Sequence, residues 1–175
     1  PERGYVFSQQ AISLATELQD MRALAEAEMC CAQNIQVVEG SLSAIPFFES
    51  AARRFEVLGD ASRQAYALYY LGGTCAMANM LEVAQQHISN AGGVFTQLGD
   101  RYGQAKVLQG TALTMSRAGK SEEAIEFTHA AIRIYRELPG RELDIGYSLF
   151  NLAIYLESLH RAGEGLLHLQ EAKII

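Results

Sequence analysis

The histidines are the residues best suited to acid–base chemistry or metal binding, because imidazole titrates near neutral pH. They stand at His87, His129, His160 and His168. His160, Glu164 and His168 follow one another at the four-residue spacing that lines up side chains on one helical face. Gly163 and Gly165 interrupt that segment and indicate a turn and a helix start. We therefore predict no metal site and no catalytic histidine.

The cysteines could provide redox chemistry if two of them paired. Cys30 and Cys31 are adjacent, and Cys75 stands alone. Neighbouring residues of a helix point about 100° apart, so a disulfide between the first two would be strained. Three cysteines in a chain this long do not make a disulfide framework. We expect free thiols that pack as small apolar core residues.

The segment "AGKS", from Ala118 to Ser121, resembles the end of a phosphate-binding loop. That motif needs a glycine where this chain has Thr114, and no strand precedes it. We predict a turn in which Gly119 ends one helix and Ser121 begins the next. Because no Ser-His-Asp or Cys-His arrangement can be assembled either, we predict no enzymatic activity and no cofactor.

The composition favours a helical protein that binds neither nucleic acid nor membranes. The chain of 175 residues has 49% hydrophobic residues, only 3 prolines and a net charge of −6. An acidic chain lacks the positive surface that a phosphate backbone requires. No apolar run approaches the length of a membrane span, and the N-terminal residues lack a signal-peptide pattern. We expect a soluble, cytoplasmic protein.

The chain repeats itself every 40 residues. A turn leucine recurs at Leu18, Leu58, Leu98 and Leu138. Small residues recur at the same period, in one column at Ala11, Ala51, Ala91 and Ala131 and in another at Gly4, Ala44, Ala84 and Ala124. The last unit carries one extra residue in its turn, so its columns are shifted by one. Several independent columns at one period indicate an internal repeat.

Each repeat predicts two helices, because apolar residues recur at spacings of three and four. Between them, Gly59 and Gly99 suit the left-handed conformation that ends a helix, and Asp60 and Asp100 suit the cap of the next. The predicted helices lie near 2–18, 21–38, 41–57, 61–78, 81–97, 101–118, 121–137, 142–159 and 163–175.

The repeat resembles the tetratricopeptide (TPR) pattern. The matching residues are Leu68, Leu71, Gly72, Cys75, Ala84, Ile88 and Ala91, and later Leu149, Leu152, Ala153, Leu156, Gly165, Leu169 and Ala172. The period is similar to that of the longer-helix variety in kinesin light chains and in bacterial signalling and transcription regulators. The resemblance implies an all-α fold, an α-α superhelix (solenoid) of antiparallel helix hairpins.

We expect one TPR-like array over residues 1–175 that forms part of a longer protein. It would begin with the second helix of a truncated repeat at 1–19 and continue with repeats at about 20–58, 60–98, 100–138 and 140–175. The first and last helices each lack a neighbour in this arrangement. Their apolar residues, such as Val6 and Leu166, would be exposed, which predicts end-to-end self-association.

The resemblance implies that the first helices line a concave groove. The residues placed on that side are Met29, Tyr66, Tyr69, Tyr70, Met77, Tyr147, Phe150 and Asn151. An aromatic wall with few charges favours an apolar or amphipathic protein or peptide segment. The alternative for each ring is packing between neighbouring first helices.

The sequence is compatible with two functions. The first is a protein–protein interaction scaffold, the regulatory or sensor array of a larger bacterial signalling or transcription protein. The second is a receptor array that binds a peptide or small-molecule effector in its groove. The positions where chaperone-binding arrays carry Lys hold Met29, Tyr69, Gln109 and Phe150 here. The resemblance therefore does not extend to a clamp for a chaperone tail.

Overall fold

The computed structural model describes residues 2–174, and within that range it contains nine helices and no strand. The helices are α1 (Glu2–Glu17), α2 (Met21–Val38), α3 (Ser41–Val57), α4 (Ala61–Met77), α5 (Leu81–Gln97), α6 (Arg101–Arg117), α7 (Ser121–Arg136), α8 (Glu142–Ser158) and α9 (Ala162–Ile174). Their ends agree with the sequence-based bounds to within one residue. The last predicted residue, 175, lies outside the described range. The predicted all-α fold of antiparallel hairpins is confirmed.

The turns form as the sequence predicts. Gly59 and Gly99 have φ values of 68° and 66°, the left-handed region that glycine tolerates best. The Asp60 carboxylate accepts a hydrogen bond from the backbone N–H of Arg63, and Asp100 accepts one from Gly103. Each aspartate therefore satisfies an N–H group that the helix itself cannot pair.

The chain divides into two compact units, residues 1–98 and 99–175. In the first, α1 to α5 pack in sequence, each against the next. In the second, α6 to α9 do the same. Helices of one type, such as α2 and α4, therefore run parallel to each other, whereas the two helices of a hairpin run antiparallel.

The columns of small residues lie at the helix contacts inside each unit. Ala44, Ala84 and Ala124 are completely buried, as are Ala51, Ala91 and Ala131. A longer side chain there would hold the helices apart. In α1 the corresponding residue of the second column, Ala11, is exposed.

Candidate functional site

A cleft of about 520 Å³ opens between α2 and α4 in the first unit. Its lining residues are Glu26, Met29, Cys30, Gln33, Ser62, Arg63, Tyr66 and Tyr70. Three of the predicted groove residues, Met29, Tyr66 and Tyr70, therefore lie on the same cleft. Cys30 and Gln33 were not predicted to line the groove, although both follow Met29 closely on the same helix.

Packing from behind holds the tyrosine rings of the cleft in place. The Tyr66 ring lies edge-on to Phe95 of α5, with ring centroids 4.8 Å apart. The Tyr70 ring stacks on Phe48 of α3 at 5.9 Å. Both tyrosines are half-buried. Each ring therefore lines the cleft and also packs on a second helix, α5 for Tyr66 and α3 for Tyr70, instead of packing only between two first helices.

Two ion pairs join α2 to the N-terminal end of α4, and the residues of one pair, Glu26 and Arg63, line the cleft. Arg63 Nη1 lies 2.5 Å from Glu26 Oε1, and Arg22 Nη1 lies 2.6 Å from Asp60 Oδ2. The hydrogen bond from Arg22 lowers the pKa of the Asp60 carboxyl, and the backbone N–H of Arg63 lowers it further. The charged groups of Glu26 and Arg63 are therefore paired with each other, and Met29, Tyr66 and Tyr70 supply the apolar and aromatic part of the lining.

Two other predicted residues of α4 lie outside this lining. Tyr69 is half-buried, and its ring lies edge-on to that of Tyr70 at 5.2 Å. Met77, in the last turn, is exposed, and its sulfur accepts a hydrogen bond from Gln36 Nε2 at 3.6 Å.

The remaining predicted residues belong to α8 in the second unit. Phe150 lines a cleft of about 380 Å³ between α8 and α9, together with Ile154, Leu166 and Leu169. Tyr147 is 60% exposed, and Asn151 is half-buried. Neither of these two lines that cleft.

Polar contacts take the place of aromatic residues between α6 and α8. Lys106 Nζ lies 2.8 Å from Asp144 Oδ1, which also accepts a hydrogen bond from the Tyr102 hydroxyl. Gln109 is buried and donates to Ser148 Oγ at 2.7 Å. Gln109 occupies the same repeat position as Met29 and Tyr69. The repeat therefore groups these three residues, but it does not reveal that the Gln109 side chain is buried.

Histidine, cysteine and carboxylate side chains could bind a metal ion if several of them came together. Among residues 2–174, no three side chains of His, Cys, Asp or Glu come together as metal ligands. His160 lies in a turn with φ of 60°. His87 is half-buried, and burial lowers the pKa of its imidazole.

The three cysteines are free thiols, as predicted. Burial raises the pKa of the Cys31 and Cys75 thiols, which belong to the core. Cys30 differs from the prediction because it is exposed. Its neighbour Cys31 points into the helix contact, so Cys30 must point elsewhere, and it lines the cleft.

None of the described helices is both long enough and apolar enough to cross a membrane.

No protein-family model matches the sequence, and no curated protein matches it. Solved structures do match. A putative kinesin light chain from Podosopora anserina with nearly identical TPR-like repeats superposes with a TM-score of 0.69 at 10% identity, covering 99% of this chain and 85% of that one. BtubC (BKLC) from P. vanneervenii gives 0.64 at 15% identity, covering 98% of this chain and 89% of that one. The repeat columns, the hairpin geometry and these superpositions together show that the chain has the TPR-like helical-repeat fold.

Proposed function

We propose that this chain is a protein-interaction scaffold that captures an apolar or amphipathic peptide segment in the cleft between α2 and α4. The observation that carries the proposal is the pair of tyrosine rings, Tyr66 and Tyr70, which are fixed from behind by Phe95 and Phe48 and line the cleft in front. Rigid aromatic side chains give a large contact area at a low entropic cost.

The charges favour an apolar ligand over an acidic one. Arg63 is already paired with Glu26, so an acidic tail would have to displace a carboxylate to reach it. Exposed ion pairs contribute little to affinity and are screened by salt. Binding should therefore weaken only modestly as salt rises.

The wider role belongs to the same proposal. We infer a non-catalytic, cytoplasmic array that serves as the regulatory or sensor part of a larger bacterial signalling or transcription protein. The TPR-like fold supports a scaffold in general. Self-association through exposed end helices is a further part of the proposal and is independent of the cleft.

A receptor for a small-molecule effector is the second candidate. The volume of the cleft, about 520 Å³, lies within the roughly 300–1,000 Å³ of typical small-molecule sites. A thermal-shift screen with metabolites would identify such an effector, whereas a peptide scaffold would give no shift in that screen.

Cys30 provides the direct test, because it is exposed in the cleft whereas Cys31 and Cys75 are buried. Peptides would first be selected against the chain from a displayed random library. A bulky maleimide should then label Cys30 and reduce the affinity for the selected peptides at least about tenfold, or about 1.4 kcal/mol. The matched control is Cys30→Ser treated with the same reagent, which should bind as before.

A second variant tests the wall without chemistry on the thiol. Met29→Glu places a charge in the apolar lining and should abolish peptide binding, while Tyr147→Glu in the second unit should not. Unchanged affinity after both the labelling and Met29→Glu, with circular dichroism showing a folded protein, would refute the proposed site.

A further inference from the structure

The ion pairs that join α2 to α4 lie at one end of the groove between these helices. Arg22 and Glu26 of α2 pair with Asp60 and Arg63 at the N-terminal end of α4. Beyond these pairs the sequence has no charged residue from 29 to 38, and none from 64 to 77. Because the two helices run parallel, the uncharged stretches lie side by side. The groove is therefore uncharged towards the C-terminal ends of both helices.

The groove continues past the cleft along one face of α4. This face carries Tyr66, Tyr70, Gly73 and Met77, at successive spacings of four, three and four. Tyr66 and Tyr70 line the cleft. Met77 reaches α2, where Gln36 Nε2 donates a hydrogen bond to its sulfur at 3.6 Å. Gly73 thus lies on the groove face, between one residue of the cleft and one that contacts α2.

Gly73 leaves this part of the groove open. A Cβ atom added there would meet nothing within 4 Å. Glycine is unfavourable inside a helix relative to alanine, and no close contact with the described part of the chain requires it here. On α2, Val37 lies one turn after Gln33 of the cleft and is 71% exposed. The open space at Gly73 is therefore bordered by the exposed apolar side chains of Val37 and Met77.

We propose that Gly73, Val37 and Met77 form a second subsite, the Gly73 subsite, which takes an apolar side chain of the peptide bound in the cleft. This inference rests on the proposed function, because the subsite continues that cleft. Gly73 determines specificity: its missing side chain leaves room for a large apolar side chain of the ligand.

The occupant is an amphipathic helix of about three turns. Tyr66 and Met77 are eleven residues apart, which is about three turns of a helix. Tyr66 and Gly73 are seven residues apart, or about 10.5 Å along a helix. A bound helix that follows α4 therefore contacts Tyr66 and fills the Gly73 subsite with two anchors seven residues apart.

A helical ligand suits the Gly73 subsite better than an extended one. An extended peptide brings backbone N–H and C=O groups that need partners when they are buried. The side chains of Val37 and Met77 cannot donate a hydrogen bond, and the Gln36 amide nitrogen already donates to Met77. A helix pairs its backbone groups internally and presents only side chains to the groove.

The size of residue 73 gives the direct test. Binding of the peptides selected against the wild-type chain would be measured by fluorescence anisotropy. Gly73→Leu fills the subsite and should raise the dissociation constant at least about tenfold, or about 1.4 kcal/mol. Gly93→Leu is the matched control and should bind like the wild type. Gly93 is also inside a helix, and its added Cβ would meet nothing within 4 Å, but it lies exposed on α5 outside the cleft lining.

Unchanged affinity of a folded Gly73→Leu variant would overturn the proposal. Circular dichroism checks the fold, and Gly73→Ala replaces Gly73→Leu if the latter unfolds. Gly73→Ala adds a single methyl group and should weaken binding in the same direction by a smaller factor.

Truncation of the peptide tests the same contact from the ligand side. An alanine scan of the peptide identifies its anchors. Alanine at the anchor that fills the subsite should weaken binding to the wild type but have little further effect on Gly73→Leu, because the leucine already occupies the space. Additive losses at every anchor in this double-mutant cycle would contradict the proposed contact.

A proline in the middle of the peptide, at a position that is not an anchor, tests the helical conformation. Proline disrupts a helix interior, so it should abolish binding, while alanine at the same position should not. Equal affinity of these two peptides would rule out a helical occupant.

Labelling of Cys30 distinguishes failure of this inference from failure of the proposed function. Peptides that are blocked by the label but bind Gly73→Leu as tightly as the wild type would keep the cleft as the site and refute the subsite. If no selected peptide is sensitive to the label, both proposals are wrong. A dimer in sedimentation equilibrium that dissociates on Val37→Glu would identify a second copy of the chain as the occupant, which also refutes the peptide subsite.

Discussion

Two adjacent glycines of α4 allow the cost of one close helix contact to be measured. A Cβ atom added at Gly72 would lie 2.6 Å from Ile88 Cγ1 and 3.0 Å from the Ala84 carbonyl oxygen. A Cβ atom added at Gly73 would meet nothing within 4 Å. Both are interior positions of the same helix, so Gly→Ala brings the same gain in helix propensity at each.

The expected free energies of unfolding follow from these contacts. Gly73→Ala should stabilise the chain by about 0.5–1 kcal/mol, because glycine is unfavourable inside a helix. Gly72→Ala gains the same amount but adds overpacking, which costs about 1–3 kcal/mol in a closely packed core. The Ile88 side chain can adjust, whereas the carbonyl oxygen of α5 cannot move without shifting the helix. The two variants should therefore differ by about 1–3 kcal/mol.

Urea and thermal unfolding followed by circular dichroism at matched protein concentration would measure this difference. In a chain of this size, 1 kcal/mol corresponds to about 2–4 °C in Tm. If Gly72→Ala is as stable as Gly73→Ala, the close approach of α4 and α5 at Gly72 does not limit the packing, and the explanation of this position is wrong.

Three further predictions concern the repeat, a helix cap and the pH dependence of stability. Ala84→Arg should destabilise the chain by more than about 3 kcal/mol, since overpacking and a buried charge combine, while Gln86→Arg on the exposed side of α5 should change unfolding little. Asp60→Ala should cost about 1 kcal/mol of stability through the lost cap, and Asp60→Asn should be closer to the wild type. The pKa of the Asp60 carboxyl lies below its ordinary value of 3.8. The stability that the ionised carboxylate contributes should therefore persist above that pH and disappear in stronger acid. Burial lowers the pKa of His87 below 6.5, so the unfolded chain takes up the proton first and stability should fall as pH drops through about 6.5. His87→Phe should remove part of that loss in pH-dependent melts.

The sequence was sufficient for the helices because the signals that determine them are local and repeated. Glycine in the left-handed region and aspartate as a cap depend only on neighbouring backbone, so Gly59 and Asp60 could be assigned without a structure. Turns without glycine are harder to predict from residue types. Asn79 and His160 adopt the same left-handed conformation, with φ values of 63° and 60°. The period of the repeat placed those turns when the residue types did not.

The candidate site could be predicted only in part. The residue type at a predicted groove position does not reveal whether its side chain meets solvent or a neighbouring helix. That outcome depends on the residue across the helix contact. Gln109 is enclosed because Ser148 of α8 and the hydroxyl of Tyr135 complete its hydrogen bonds. Tyr66 lines a cleft together with Met29 of α2. Both outcomes depend on pairs of residues in neighbouring helices, and one repeat position describes only one member of each pair.

The repeat separates the positions that determine the fold from those that determine binding. The column of Ala44, Ala84 and Ala124 is uniform because helix crossing distance allows only a small side chain there. The column predicted to face the groove holds Glu26, Tyr66, Lys106 and Tyr147, an acidic residue, a basic residue and two tyrosines. Helix packing therefore does not require one residue type in this column. One backbone pattern then produces an apolar cleft between α2 and α4 and a closed ion pair between α6 and α8, so partner selection has to be sought in the residues that the repeat does not preserve.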